Sequence, residues 1–250
     1  MAIPKTSHGG AATRAAAPAR PAVESNVADY LGAAISDTLA ALCIPGAAVL
    51  SATAKAALQT HYARKAQEAR EIMLGELRAG RATPENVELE EFAAITVRYA
   101  RAVREGVGRI NLRMLAAILA GQLAHDAVYA DEFYRWADIL AGLTSDEIVV
   151  LAGYLRHAPA DLRTARLVEL ASAVYQGIYG PDTARWGDFE AVRGALLRTG
   201  LLSISATGGA IGGGSSVVFA PTSKLQELGR LVEMEGVLER SGLSGGGPHP

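Results

Sequence analysis

The chain has 250 residues, of which half are apolar, 20% are charged and 6% are aromatic, and its 24 basic and 26 acidic side chains leave a formal charge of -2. These values exclude a disordered chain, which would be less apolar and less balanced in charge, and they exclude collagen-like and coiled-coil chains. The single cysteine, Cys43, excludes a small secreted module held by disulfides. Since the net charge is near zero, binding to nucleic acid or anionic lipid would require a local basic patch.

Both ends of the chain have compositions typical of tails. Residues 1–22 contain three prolines and lack the apolar stretch of a secretory signal, so we expect a disordered tail on a cytoplasmic protein. Residues 241–250 are mostly Gly, Ser and Pro, which predicts a second disordered tail. Between the tails we predict a helical domain over 23–142 and a second domain over 143–240.

The first domain begins with a predicted helical hairpin. Ser25 or Asn26 can cap a helix over about 27–43, and a second helix follows Pro45 and extends to about Ala79. The second helix carries an apolar stripe at spacings of three and four residues, which is typical of a packing face. The stripe consists of Leu58, Tyr62, Ala66, Ala69, Met73 and Leu77.

A third, long helix is predicted to follow, beginning at Thr83 and Pro84. Its apolar positions keep a spacing of three and four over about 35 residues. They are Leu89, Phe92, Thr96, Tyr99, Val103, Ile110, Met114 and Ile118. Gly106 and Gly108 interrupt the middle of this helix and could bend it.

One apolar run in this half suggests a membrane function. Residues Tyr30 to Ala54 contain a single charge, Asp37, and are long enough to span a bilayer. However, Pro45 and Gly46 divide the run, and an aspartate is costly at the bilayer centre. We therefore expect a buried hairpin, with a membrane-inserting hairpin as the alternative.

Five arginines of the predicted long helix suggest a site for phosphates or acidic lipids, because they spread over about half of its circumference. They are Arg98, Arg101, Arg104, Arg109 and Arg113. The alternative is a solvated face that Glu90, Glu91 and Glu105 partly neutralise.

The second half contains three more predicted helices after an aromatic one. Tyr129, Phe133, Trp136 and Leu140 fall on one helical face and are expected in the core. Thr144 and Glu147 form a capping box that begins a helix ending at about His157. The next helix is predicted to begin near Asp161 and extend to about Gln176. A further helix covers about Asp188 to Thr199 and ends at Gly200.

Two short runs of β-forming residues come next. Leu201 to Ala206 and Ser216 to Ala220 flank the glycine-rich stretch from Gly208 to Gly214, which predicts a two-stranded ribbon with a long tip. Thr222 is then expected to cap a last helix through about Glu239.

The order helix, helix, helix, strand, loop, strand, helix over about 143–240 resembles a winged helix-turn-helix domain. The resemblance rests on the segment LLRTGLL leading into the first strand, on the glycine-rich wing, and on FAPTSKLQELGRLVE leading out of the second strand. The whole chain looks similar to bacterial and prophage proteins that join a helical hairpin to such a module. The resemblance implies a mainly α fold with a two-stranded wing, and a function in binding DNA or other proteins.

The charges favour protein partners over DNA. The predicted recognition helix offers only Arg193 and Arg198 against Asp188 and Glu190, and residues 201–223 contain no charge, whereas DNA binding normally needs several phosphate contacts. Residues 1–123 hold 14 basic and 11 acidic side chains (+3), while residues 124–250 hold 10 and 15 (-5). The half that resembles a DNA-binding fold is therefore the acidic half.

We accordingly expect an interaction or oligomerisation protein whose partner is another copy of itself or another protein. The apolar stripe of the long helix and the apolar hairpin suggest self-association. A DNA-binding transcriptional regulator, and a membrane-active defence or toxin-like effector that uses the 30–54 hairpin, are the alternatives.

Enzyme signals are weak. The glycines near 210 are followed by no lysine and precede a strand, which does not fit a phosphate-binding loop. His61, His125 and His157 have no metal-binding spacing, and no Gly-x-Ser-x-Gly elbow is predicted between a strand and a helix. We therefore expect no catalytic residue, no metal and no cofactor.

Overall fold

A computed structural model describes residues 52–79, 88–125, 129–158, 164–207 and 216–243. Within these ranges the chain forms nine α-helices, one short 3₁₀ turn and a two-stranded antiparallel sheet, so the fold is mainly α. The helices are α1 (Ala52–Ala79), α2 (Leu89–Arg104), α3 (Arg109–His125), α4 (Ala130–Leu140), α5 (Ser145–His157), α6 (Thr164–Tyr179), α7 (Trp186–Leu196), α8 (Ser223–Leu231) and α9 (Met234–Arg240). The strands are β1 (Leu202–Thr207) and β2 (Ser216–Pro221).

Some predictions fall outside these ranges. They concern the two tails up to residue 22 and beyond 243, the helix over 27–43, the start of the third helix at Thr83, and the wing tip from Gly208 to Gly214. The apolar run from Tyr30 lies almost entirely outside them as well. Among the helices that are described, none is long and apolar enough to cross a membrane.

The amphipathic pattern of α1 is confirmed. Leu58, Tyr62 and Ala66 are half-buried, and Ala69 and Met73 further along the same stripe are fully buried. The helix ends at Ala79, as predicted. Its second half therefore packs into the protein through the face that the spacing of apolar residues defines.

The prediction of a single long helix after α1 is wrong, because the chain forms two helices, α2 and α3, with a break between them. Gly106 adopts a left-handed conformation with φ of 80°. Its amide donates to the Val103 carbonyl, and the Val107 amide donates to the Ala102 carbonyl, both at 3.1 Å. This pair of hydrogen bonds is a Schellman motif, which ends a helix and satisfies its last carbonyls. Glycine at position 106 thus terminates the helix rather than bending it.

The helix α3 lies at the centre of the protein. Every residue from Ile110 to Leu123 is buried, and α1, α2, α4, α8 and α9 pack around it. The polar side chain of Asn111 is satisfied there, because its amide donates to the carbonyls of Leu140 and Leu143 at 2.6 and 2.7 Å. A helix with such partners on all sides is apolar on all sides, which explains the high apolar content of this segment.

The aromatic face predicted for α4 is confirmed in part. Phe133, Trp136 and Leu140 are buried, whereas Tyr129 is 56% exposed. Tyr129 precedes the helix in an extended conformation, so it does not share the azimuth that helical spacing assigned to it.

The local signals of the second half are largely confirmed. The capping box of Thr144 and Glu147 is present, and α5 ends at His157. After α7, a 3₁₀ turn over Leu197–Thr199 ends at Gly200, which has a left-handed φ of 70°. In the sheet, β1 and β2 pair so that Ile204 lies opposite Phe219.

The last predicted helix is interrupted. Thr222 caps α8 by accepting the amide of Leu225, as expected, but α8 ends at Leu231. Val232 is extended and buried, and α9 begins at Met234, which is buried too. The chain turns here, which places both side chains in the core.

Candidate functional site

The structure pairs four of the five arginines of the predicted arc with carboxylates. Arg98 contacts Asp138 at 2.6 Å, Arg101 contacts Glu105 at 2.7 Å, Arg109 contacts Glu68 at 3.4 Å and Arg113 contacts Glu76 at 3.0 Å. Arg104 is exposed. The five lie on two helices, and the guanidinium of Arg113 is buried in the core. Their contact with phosphates or lipids stays a prediction, and most of their charge is already balanced within the protein.

A buried cluster of charges joins three helices. The carboxylate of Glu76 in α1 accepts hydrogen bonds from Arg113 in α3 at 3.0 Å and from Arg240 in α9 at 2.9 and 2.6 Å. The Glu76 side chain is almost completely buried. This cluster was not predicted, because its members are distant in the sequence and no spacing signal connects them.

In the C-terminal part, aromatic rings hold α6 against α7. The ring of Tyr175 packs on Trp186 and Phe189, with centroids 4.9 and 5.5 Å apart. The Tyr175 hydroxyl donates to the carbonyl of Asp182 and accepts the amide of Arg185 at 3.2 Å. These contacts fix the turn between the two helices and hence the direction of α7.

Arg193, which was predicted as a possible nucleic-acid contact, points into the protein. The residue is 2% exposed, and its guanidinium lies 5.1 Å from the ring centre of Phe189 and 4.2 Å from that of Phe219. It also pairs with Glu190 at 2.5 Å. Beneath it, burial raises the pKa of Tyr154 to about 12, with the positive charge of Arg193 acting in the opposite direction. Arg193 therefore attaches α7 to the sheet.

Arg198, the second predicted contact of this segment, is also engaged internally. Its guanidinium makes two hydrogen bonds to the Glu147 carboxylate and donates to the carbonyls of Ala195 and Gly142 at 2.7 and 3.0 Å. Burial by itself raises the pKa of Glu147, but the hydrogen bonds from Arg198 and Thr144 outweigh it, and the pKa is below its ordinary value. About half of the Arg198 side chain remains exposed.

With both arginines engaged, the solvent-facing side of α7 is made of small residues. Gly187, Ala191, Gly194 and Ala195 are exposed, as is the charged side chain of Asp188 and, in part, that of Glu190. Ile204 of β1 is 56% exposed and lies opposite Phe219, whose ring contacts Arg193. We use the name α7–β1 surface for two sets of exposed positions, Gly187, Ala191, Gly194 and Ala195 on α7 and Ile204 on β1. None of these five residues is charged, and the exposed Asp188 and half-exposed Arg198 side chains lie beside those of α7.

A cleft of about 300 Å³ lies at the start of α4. Glu91, Asp131, Glu132 and Arg135 line it, and the Glu91 carboxylate accepts the amide of Ala130. Glu91 thus caps the helix.

Within the described ranges, no group of three or more His, Cys, Asp or Glu side chains could hold a metal ion.

By class, the protein is mainly α with a small antiparallel sheet between its C-terminal helices. No protein-family model, curated protein or solved structure matches the chain. The arrangement of the described residues is therefore the basis for its proposed function.

Proposed function

We propose that this chain is a non-enzymatic interaction protein of bacterial or prophage type, and that its C-terminal part is a winged-helix module used for protein association. The observation that carries this proposal is the α7–β1 surface, whose five exposed residues are glycines, alanines and one isoleucine, none of them charged. It occupies the place where a DNA-binding winged helix would present basic side chains.

The order and pairing of elements support the winged-helix assignment. Three helices, α5, α6 and α7, precede an antiparallel pair of strands, and α8 follows. Both α6 and α7 pack against α5, and β2 packs on α6. This arrangement is compatible with a wing that follows the third helix of a helix-turn-helix unit.

The chemistry of α7 favours a protein partner. Phosphate binding depends on several accessible Lys or Arg side chains, but Arg193 is buried between two rings and Arg198 is bound to Glu147. Small exposed residues, by contrast, allow the backbone of a partner to approach closely. Association with another copy or another protein is thus the function that this surface supports best.

The test is a charge placed on the exposed side of α7. Ala191→Glu and Ala195→Glu change exposed positions, so the fold should be kept, as circular dichroism will show. Light scattering gives the mass of the purified chain, and chemical crosslinking in cells followed by purification identifies bound proteins. We expect the wild type to self-associate or to retain a protein, and both variants to lose this. Ala63→Glu, at an exposed position of α1, is the matched control and should behave as wild type.

A monomer that retains no protein would contradict the proposal. The proposal would also be contradicted if the wild type bound duplex DNA in a salt-sensitive manner and the two α7 variants bound it more weakly. A DNA-binding regulator would behave in this way.

A further inference from the structure

No backbone hydrogen bond from another described strand reaches the outer edge of β1. The Thr222 amide donates to the Leu201 carbonyl at 3.0 Å, and Ser203 and Ser205 lie opposite Ala220 and Val218. In an antiparallel pair, hydrogen-bonded positions alternate along each strand. The N–H and C=O groups of the residues between them, including Ile204, therefore point away from β2. The sheet contains only β1 and β2 among the described residues, so no described strand pairs with this edge.

The residues of β1 themselves lack the features that normally protect an open strand. Exposed edges in soluble proteins usually carry charges, prolines or bulges, which prevent pairing with another chain. The residues of β1, LSISAT, include no charge and no proline, and Ile204 exposes 56% of its surface. By contrast, β2 ends in Pro221, which has no amide to donate.

We propose that a second copy of this chain pairs with the outer edge of β1, so that the two β1 strands run antiparallel about a two-fold axis at Ile204. This pairing rests on the protein association proposed above and names its partner. A two-fold interface requires a surface that is complementary to itself. The β1 edge meets this requirement, because Ile204 would face its own symmetry mate and Leu202 would face Ala206 of the other copy.

The distribution of charge restricts where two copies of the C-terminal half can meet, and β1 lies in the uncharged segment. The C-terminal half of the chain is acidic overall, with 10 basic and 15 acidic side chains in residues 124–250, so its net charge opposes contact between two copies. The segment from 201 to 223 has no charge, so two β1 strands can approach without repulsion. The pairing would join the two sheets into one of four strands and bring the exposed Ile204 side chains together.

Cysteine crosslinking tests the pairing directly. In a Cys43→Ser background, Ile204→Cys places one thiol at the predicted axis, where paired Cα atoms lie about 5.5 Å apart, a distance that a disulfide can span. Val168→Cys in the same background is the control, because Val168 is 52% exposed on α6, a helix that packs against β2. On mild oxidation we expect the Ile204→Cys chain to form a covalent dimer about tenfold faster, since pairing raises the effective thiol concentration.

A second variant examines the edge without a thiol. Ile204→Lys adds a charge at the axis and should shift the light-scattering mass toward the monomer, whereas Ile204→Val should leave the mass unchanged. Equal crosslinking rates for Ile204→Cys and Val168→Cys, or an unchanged mass for Ile204→Lys, would overturn the pairing. If Ala191→Glu still abolished association in that case, the proposed function would stand and the assignment of the β1 edge would fall.

Discussion

At the residue scale, the largest difference between the prediction from the sequence and the structure concerns the contacts of the arginine side chains. A guanidinium on a helix can reach solvent, an acid on another helix or an aromatic ring, and helical spacing does not distinguish these outcomes. Arg113 is bound to a buried glutamate, and Arg193 lies between two phenylalanine rings. Side chains predicted as possible contacts for phosphates thus hold the protein together.

Glu76 is the first residue at which this role can be measured. Its carboxylate neutralises Arg113 and Arg240, and an amide in its place would leave both cations without a counter-charge near the core. We expect Glu76→Gln to lower the free energy of unfolding by about 3 kcal/mol in chemical denaturation. Glu71→Gln, at an exposed position of the same helix, is the control and should change it by less than about 0.5 kcal/mol. Equal effects of the two substitutions would show that the cluster contributes no stability.

Glu147 predicts a dependence of stability on pH. Because its pKa is lower in the folded than in the unfolded protein, its contribution is present above the unfolded value of about 4.3 and is lost as the pH falls through the folded value. At neutral pH we expect the free energy of unfolding of the wild type to exceed that of Glu147→Gln by about 2 kcal/mol. Denaturation at a series of pH values should show this difference shrinking below about pH 4. A difference that stays constant into strong acid would rule out the ion pair with Arg198 as its source.

At the scale of elements, a close approach between two helices depends on one glycine. A Cβ atom at Gly121 in α3 would lie 2.0 Å from the Leu231 carbonyl oxygen at the end of α8. Backbone atoms cannot move away as a flexible side chain can. The absence of a side chain at position 121 therefore sets how closely α8 packs on the central helix.

Gly121→Ala should consequently destabilise the protein even though alanine favours helices. We expect a loss of about 2 kcal/mol in the free energy of unfolding, from displacement of α8. Gly75→Ala in α1 is the matched control, because no atom lies within 4 Å of its Cβ position. That substitution should stabilise the protein by about 0.5 to 1 kcal/mol through helix propensity. A stabilising Gly121→Ala would mean that the two helices are not in close contact in solution.

At the scale of the whole molecule, one buried core extends through both parts of the predicted domain division. The central helix α3, from the first part, packs against α8 and α9 from the second. The Glu76 cluster crosses the same boundary through Arg240. The division at residues 142 and 143 stays a prediction, and these contacts favour unfolding of both parts together.

The two tryptophans allow a test of this coupling. Trp136 lies in the first part and Trp186 in the second. The Trp186→Phe variant therefore keeps a single tryptophan in the first part, and the Trp136→Phe variant keeps one in the second. In each variant we expect the fluorescence and far-ultraviolet circular dichroism transitions to coincide during denaturation, as a two-state protein requires. Fluorescence transitions that separate from the dichroism would instead show two independently folding domains.

The sequence by itself determined the class of the fold and many boundaries of its elements. The ends of α1 and α5, the Thr144 and Thr222 caps, the turn at Gly200 and the two strands were all predicted. Each depends on residues within a few positions of one another, because helix periodicity, capping and turns are local interactions. The break at Gly106 shows the limit even of local signals, since an apolar stripe continues across it.

Only the tertiary structure decided which charges meet. Arg113 is 37 residues from Glu76, Arg198 is 51 residues from Glu147, and Arg240 is 164 residues from Glu76. The balance of 24 basic and 26 acidic side chains indicated that pairing was available but not where it occurs. Ion pairs between distant residues depend on how helices pack, and they engage Arg193 and Arg198 inside the protein while glycine and alanine residues of α7 face the solvent.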